Sequence, residues 1–484
     1  MIVEINTANF LFKMTQKYKG KVGNINNLLK IDEIPDEEWE KLKYNGMTKY
    51  IWLMGVWKRS KLSKIISIKN FQEFIHIVRD LKEDDIIGSA YSIVDYSVDP
   101  LIGDFKSLIK VKNKLNRLGI GLILDFIPNH FSLDNNYINE DIFIETDFNG
   151  YKKNPYLFYV TENEGKIRYI AHGKDPFFPP WIDTLQINIF SKKAQKILLK
   201  NLKKISKYAD GVRVDMSMLL LNNIFYNNWK DYIKLENIEE EFWSIATKSV
   251  DLTFIAECYW NLENKMLKLG FHYTYDKKFL DNLFNINDIK QMISMDFEFQ
   301  KKMVRFLENH DEERIANKIE NKDEHILTLF FTCLGMKMIY WEQFEGQTTR
   351  IPVQLIRAND NYKSLPFYQK IIEIYPTIKN FLEEGKFFIF KVENIYDDTS
   401  KNLIAYGYLL NEKVMIVVMN FSSQFSQGII SIKNILPQSL IKYLQKEEKD
   451  VVLVELIKGE RYYRNLERVH VVLNPFQAQI FIEL

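Results

Sequence analysis

The chain has 484 residues, 46% of them hydrophobic, which suits one large domain with a smaller companion. Lys+Arg 65 against Asp+Glu 64 leaves a net charge of +1, and this argues against a nucleic-acid partner. Two cysteines make no disulfide framework, the start Met1-Ile2-Val3-Glu4-Ile5-Asn6 lacks the basic and apolar regions of a signal peptide, and no apolar run reaches the roughly 18 residues of a membrane span. A cytoplasmic protein without a membrane partner is therefore expected.

Taken in chain order, short apolar runs alternate with amphipathic stretches. The runs are Met1–Ile5, Tyr50–Met54, Gly121–Phe126, Gly211–Val214, Thr253–Ala256, Val304–Leu307 and Met336–Tyr340, with helical patterns such as Phe105–Leu118 and Lys192–Tyr208 between them. Near-continuous apolar runs are what strands buried on both faces look like. Their alternation with helices, about eight times over this length, predicts an α/β fold of the (β/α)8 barrel type. The rhythm breaks at 131–185, a stretch rich in Asn, Asp, Pro and aromatics that reads as an inserted subdomain after the third strand. Residues 1–130 and 186–384 then form the two parts of the barrel. From 385 to 484 alternating runs such as Leu403–Leu410 and Lys413–Asn420 predict an all-β sandwich.

What ends the strands is informative. Leu122-Ile123-Leu124 runs into Asp125, Gly211-Val212-Arg213-Val214 into Asp215, Thr253-Phe254-Ile255-Ala256 into Glu257, and Val304-Arg305-Phe306-Leu307 into Glu308-Asn309-His310-Asp311. Any one acid there is an ordinary helix cap. Four together gather carboxylates at the C-terminal mouth of a barrel, where barrel enzymes keep their sites. Clustered carboxylates suit glycosidic bond cleavage, in which one acid must stay ionised to attack and another must stay protonated to donate. Arg213, two residues before Asp215, favours the ionised form of its neighbour.

These four segments resemble the conserved regions of glycoside hydrolase family 13, the α-amylase family. Asp125-Phe126-Ile127-Pro128-Asn129-His130 is similar to the first, Gly211 to Asp215 to the second, Ile255-Ala256-Glu257 to the third and Phe306 to Asp311 to the fourth. The resemblance implies a catalytic barrel, a domain B after the third strand and a C-terminal domain C. It implies Asp215 as nucleophile, Glu257 as general acid/base and Asp311 as third carboxylate. Tyr91, His130, Arg213 and His310 would bind the sugar or support the site. Trp57, past the end of the second strand, and the domain B aromatics Phe177, Phe178 and Trp181 are candidates for stacking on sugars.

One departure stands out. Met218 and Leu219 occupy positions where many members carry a Lys-His pair, one for a sugar contact and one for a calcium site. No cofactor is required by this chemistry. Calcium, with Asn129 among its ligands, is the one metal that the resemblance suggests. The expected activity is retaining hydrolysis of α-glucosidic bonds in short α-glucans. Transglycosylation and a catalytically inactive binding relative are the alternatives, and the oligomeric state is open.

Overall fold

Strands covered on both faces must close or be capped, and here they close. The computed structural model describes residues 1–163, 165–233, 240–432, 451–465 and 468–483. Eight parallel strands form a closed barrel: Ile2–Asn6, Tyr50–Met54, Gly121–Phe126, Gly211–Val214, Thr253–Ala256, Tyr273–Tyr275, Met303–Phe306 and Met336–Tyr340. The last pairs with the first, Tyr340 opposite Glu4, and the first with the second, Glu4 opposite Trp52. The sixth strand is the one absent from the apolar runs, because Tyr-Thr-Tyr is too short and too polar to stand out.

Side chains alternate across each strand. Ile2, Trp52, Ile123, Ile255, Val304 and Met338 share one cluster that fills the barrel. Val3, Ile5, Leu53, Leu122, Leu124, Val212 and Phe254 belong to the larger cluster under the surrounding helices. The helices follow from apolar spacing and local caps. Phe105–Arg117 buries Leu108, Val111 and Leu115 and starts where Asp104 accepts the Ser107 amide at 2.8 Å. Lys192–Ile205 buries Ala194, Leu198, Leu202 and Ile205 behind a Ser191 cap.

Two excursions rise from the mouth. Trp57–Arg59 pairs antiparallel with Ile93–Val98 after the second barrel strand. After the third, His130–Ser132 pairs with Thr184–Gln186, which ties the base of a longer insertion. That insertion has its own three-stranded sheet, Glu145–Thr146, Lys166–Ala171 and Phe158–Asn163, where the sequence suggested irregular chain. Its helix Phe148–Lys153 has six residues and its strands two to six, so neither period runs long enough to read.

The C-terminal part is antiparallel. Six strands lie in the order Lys386–Ile389, Leu403–Leu410, Lys413–Asn420, Ala478–Glu483, Val451–Glu455 and Arg461–Arg464, and three more pair as Val392–Glu393, Ser426–Ile430 and Val469–Leu473. Leu403, Ala405, Ile416, Val418, Val469 and Val471 pack between the two sheets. The opposite face, with Tyr406, Tyr408, Met415 and Val417, joins the barrel core. Tyr406 Oη lies 2.6 Å from Thr332 Oγ1, and the Tyr408 hydroxyl donates to the Thr332 carbonyl at 2.6 Å. Residues 433–450, 466–467 and 484 of the expected sandwich lie outside the described residues.

A charge pair locks the lower wall. Arg305, 1% exposed, donates to Asp276 Oδ2 at 3.0 Å, to the Leu334 carbonyl at 2.9 Å and to Gln300 Oε1 at 3.1 Å. Arg305→Leu leaves Asp276 buried without its cation and should cost about 3–5 kcal/mol. Urea denaturation at neutral pH measures this, and a loss under about 1 kcal/mol would show that the pair does not hold the wall.

Candidate active site

The top interior layer of the barrel is charged. Glu4, Asp125 and Arg213 take the inward positions above Ile2, Ile123 and the core, and register sets Arg213 opposite both Asp125 and Ile255. Asp215 and Glu257 follow directly on the ends of their strands, and Asp311 lies on the loop after the seventh.

Arg213 joins these acids. Its Nη1 lies 2.9 Å from Asp215 Oδ1 and 3.6 Å from Asp125 Oδ1, and its Nη2 lies 2.8 Å from Glu257 Oε2. The rings of Trp52 and Tyr91 are centred 5.1 and 5.2 Å from the guanidinium carbon. A fully buried arginine is tolerable because acids and ring faces replace its water. Burial, helped by neighbouring acids and opposed by Arg213, pushes Asp215 up to about 6. Burial also pushes Asp125 up to about 6 against the pull of Arg213. Glu257 is raised by burial and by the nearby carboxylates Asp215 and Asp311, with Arg213 opposing.

The backbone supports the acids. Asp125 Oδ2 accepts the Gly55 amide at 3.0 Å. Gly55 has φ +77°, and a Cβ there would lie 2.8 Å from both Ala90 Cβ and Arg59 Nη2, so only glycine fits. Met216 sits in left-handed conformation at φ 42° and ψ 45°, and its amide donates to Glu257 Oε2 at 2.6 Å. Strain in a non-glycine residue next to reacting groups is a mark of a functional site. Ser217 Oγ donates to the Glu257 carbonyl at 2.7 Å, while Tyr259 Oη donates to Glu257 Oε1 at 2.9 Å. None of Gly55, Met216, Ser217 or Tyr259 was singled out from sequence. Only the adjacency of the last three to Asp215 or Glu257 hinted at them.

Asp311 stands at the opening, its side chain 49% exposed, with Oδ2 3.1 Å from His310 Nε2. Partial desolvation at the cleft would raise its pKa, but the His310 charge outweighs this and holds the carboxyl well below the usual range. Tyr91 lies on His310, rings 5.3 Å apart and stacked, with its hydroxyl 2.9 Å from Nε2. Asp215, Glu257, Asp311, Arg213, Tyr91 and His310 are thus gathered at one place.

Other expected residues lie elsewhere or are already occupied. Trp57 is a correction: it is 1% exposed, its Nε1 donates to the Asp125 carbonyl at 2.7 Å, and it packs edge-on against Tyr96. It supports the site from the core and offers no face to a sugar. His130 is also turned inward. Its Nε2 lies 3.1 Å from the Tyr91 carbonyl and its Nδ1 3.3 Å from Asn129 Nδ2, and burial lowers its pKa to about 4. It therefore presents no free nitrogen to the cleft. Trp181 rests on the His130 ring at 5.2 Å. Phe177 and Phe178 are 71% and 69% exposed, and Phe177 meets Trp260 edge-on at 5.2 Å. Met218 and Leu219 are buried in the turn Ser217–Leu220.

Asn129 does not fit a calcium ligand. Gln186 Nε2 donates to its carbonyl at 2.9 Å and to its Oδ1 at 3.0 Å, so both oxygens are already engaged. Among the described residues no group of three or more His, Cys, Asp or Glu side chains is arranged to hold a metal ion.

A closed parallel barrel with an insertion after its third strand, an antiparallel C-terminal domain and acids at the mouth has the architecture of the α-amylase class, and the resemblance in the motifs extends to the whole fold. A maltogenic α-amylase from Thermotoga neapolitana matches with TM-score 0.64 at 16% identity, over 100% of this chain and 98% of that one. An α-amylase from Geobacillus thermoleovorans, solved with acarbose, matches with TM-score 0.65 at 14% identity, over 100% and 98%. In sequence the chain is 24% identical over 268 residues to a cyclomaltodextrin glucanotransferase from Thermoanaerobacterium thermosulfurigenes, a match that spans 50% of this chain and 35% of that relative. No family model matches the chain. Among the described residues no helix is long and apolar enough to cross a membrane.

The raised Asp125 has a consequence for stability. Its folded pKa lies above the ordinary aspartate value of 3.8, so the folded state holds the proton longer and stability falls as pH rises from about 4 to about 6. Asp125→Asn removes that fall. Urea midpoints at about pH 4.5 and pH 7 should differ less in the variant than in the native chain, and equal differences would show that Asp125 does not titrate there.

Proposed function

We propose that the chain is a retaining α-glycosidase that cleaves α-glucosidic bonds of short α-glucans by double displacement. The carrying observation is that one guanidinium, Arg213, touches both Asp215 and Glu257 at 2.9 and 2.8 Å, at the C-terminal mouth of a barrel. Asp215, kept anionic near neutral pH by that cation, attacks the anomeric carbon. Glu257 gives its proton to the leaving oxygen, and then takes a proton from the incoming water. Its Oε2 is held by Arg213 and the Met216 amide, which leaves Oε1, beside the Tyr259 hydroxyl, as the oxygen that carries the mobile proton. Asp311, anionic and open to the cleft, binds sugar hydroxyls and favours the cationic transition state. Retention requires about 5–5.5 Å between the two working carboxyl groups.

Transfer to a sugar acceptor is the second reading. The exposed ring of Phe177 against Trp260 offers an apolar platform for an acceptor, and the sequence relative named above is a glucanotransferase. An inactive binding protein is disfavoured because the site keeps all three acids. The two cysteines are free and buried, consistent with a cytoplasmic setting.

Asp215→Asn should lower turnover by at least about a thousandfold while leaving the unfolding midpoint near that of the native chain. Chromatography of products from maltotriose, maltoheptaose, soluble starch and sucrose reads the result. Glucose or maltose alone marks a hydrolase, and longer oligomers or a new disaccharide mark a transferase. Near-normal activity in the variant would remove Asp215 from its role.

A further inference from the structure

One buried acid at the centre takes no part in the proposed mechanism. Glu4, the third residue of the first barrel strand, is 0% exposed, and its Oε1 lies 2.5 Å from His310 Nδ1. Its other oxygen, Oε2, has no hydrogen-bond partner among the described residues. On the far side of the same ring, Nε2 is 3.1 Å from Asp311 Oδ2 and 2.9 Å from the Tyr91 hydroxyl. A neutral imidazole has one N–H and one lone pair. It cannot donate to a carboxylate on each nitrogen, so one of the two acids would then face a lone pair.

We propose that Glu4 is a positioning residue that keeps His310 in its doubly protonated form, with Nε2–H aimed at Asp311 and the mouth of the barrel. The proposal rests on the glycosidase reading only for its catalytic consequence. In that reading Asp311, which faces the sugar, stays ionised and fixed because the His310 cation adjoins it. The His310 ring stands between Glu4 and Asp311.

The surroundings support a charged ring. Burial opposes the charge, but Asp311 and Glu4 overcome it and push His310 up to about 10. Asp125 is a further acid near enough to favour a charged ring. Arg213, the competing cation, is spent on Asp215 and Glu257. Behind Glu4, the buried Glu308 pairs with Arg314 at 2.7 Å, so it does not claim the imidazole. The electrostatic influence of Glu4 is also felt at Tyr275 and Tyr340, neither of which supplies a cation. The Trp52 ring stands edge-on to His310 at 5.6 Å and keeps water from the ring face.

A mere space-filling role for Glu4 is separable, because glutamine has nearly the same shape without the charge. Histidine 15N–1H correlation spectra of the whole chain, with His310 assigned by comparison with His310→Gln, read the ring directly. The expected result is a doubly protonated His310 from about pH 6 to about pH 8 in the native chain. In Glu4→Gln the same ring should titrate within that range, and the alkaline limb of kcat/KM should move at least about one pH unit towards acid. The linked stability has a definite sign. The folded pKa is raised, so the contribution is fully present below about 6.5 and is lost as pH rises towards about 10. Glu4→Gln should flatten that loss.

A singly protonated His310 in the native chain at pH 7 overturns the proposal. So does a lower melting temperature in Glu4→Gln with no change in either titration. If Glu4→Gln does not fold, the spectrum of Asp311→Asn decides: His310 should stay doubly protonated at pH 7 with Glu4 as its one acid, and a singly protonated ring there overturns the proposal. If the native chain cleaves no glucoside, the glycosidase reading fails, while the spectrum still decides the role of Glu4.

Discussion

The structure at the mouth depends on one buried cation. Arg213 is 1% exposed, and three carboxylates from three strands converge on it within 2.8 to 3.6 Å. A charge so far from water is costly, and acids so close together repel. Each solves the problem of the other, provided the geometry is kept. The barrel keeps it, because parallel register sets Arg213 beside Asp125 and Ile255, two residue pairs short of Asp215 and Glu257.

Charge balance then decides where protons sit. Glu4, Asp125, Asp215, Glu257 and Asp311 face Arg213 and a charged His310 in one region, so acids outnumber cations. Not all can be ionised together at modest cost. His310 lies between Glu4 and Asp311, and it is these two that its charge serves. The remaining three share Arg213, and all are raised by burial, Asp125 and Asp215 to about 6 and Glu257 above its usual value. A centre with one acid poised to attack and another poised to donate needs this kind of separation. Here the two cations set Asp311 apart, while Asp215 and Glu257 share one arginine and so cannot both be ionised at low cost.

Much of this was legible in the sequence because strand ends are punctuated. Asp125, Asp215 and Glu257 each terminate an apolar run, and a barrel sends all such ends to one face. What failed to read has physical reasons. The strand Tyr273–Tyr275 has no apolar run because it is only three residues long and its middle residue is Thr274. Trp57 looked like a cleft residue because it follows a strand end, but the antiparallel ribbon with Ile93–Val98 folds back and buries it. His130 sits inside a motif, yet its ring is claimed by the Tyr91 carbonyl, a contact with a residue 39 positions away. Glu4 was visible as an acid inside Ile-Val-Glu-Ile-Asn, and a charge on the inward side of a barrel strand demands a partner. The identity of that partner, 306 positions along the chain, was not readable.

The base of the insertion is tied together by one side-chain amide. Gln186 Nε2 meets three oxygens, the Asn129 carbonyl at 2.9 Å, Asn129 Oδ1 at 3.0 Å and the Ile187 carbonyl at 3.0 Å. Oxygens converging on one point are what a hard cation seeks. An amide with two hydrogens meets the same oxygens and brings no net charge into a buried place. Gln186 belongs to Thr184–Gln186, which pairs with His130–Ser132, so the cross-link fixes both strands at the root of the insertion. That root carries Trp181 onto His130 and holds the exposed Phe177 against Trp260, three residues beyond Glu257. These hydrogen bonds thus anchor the strand Thr184–Gln186, just beyond the segment that carries the aromatic rim.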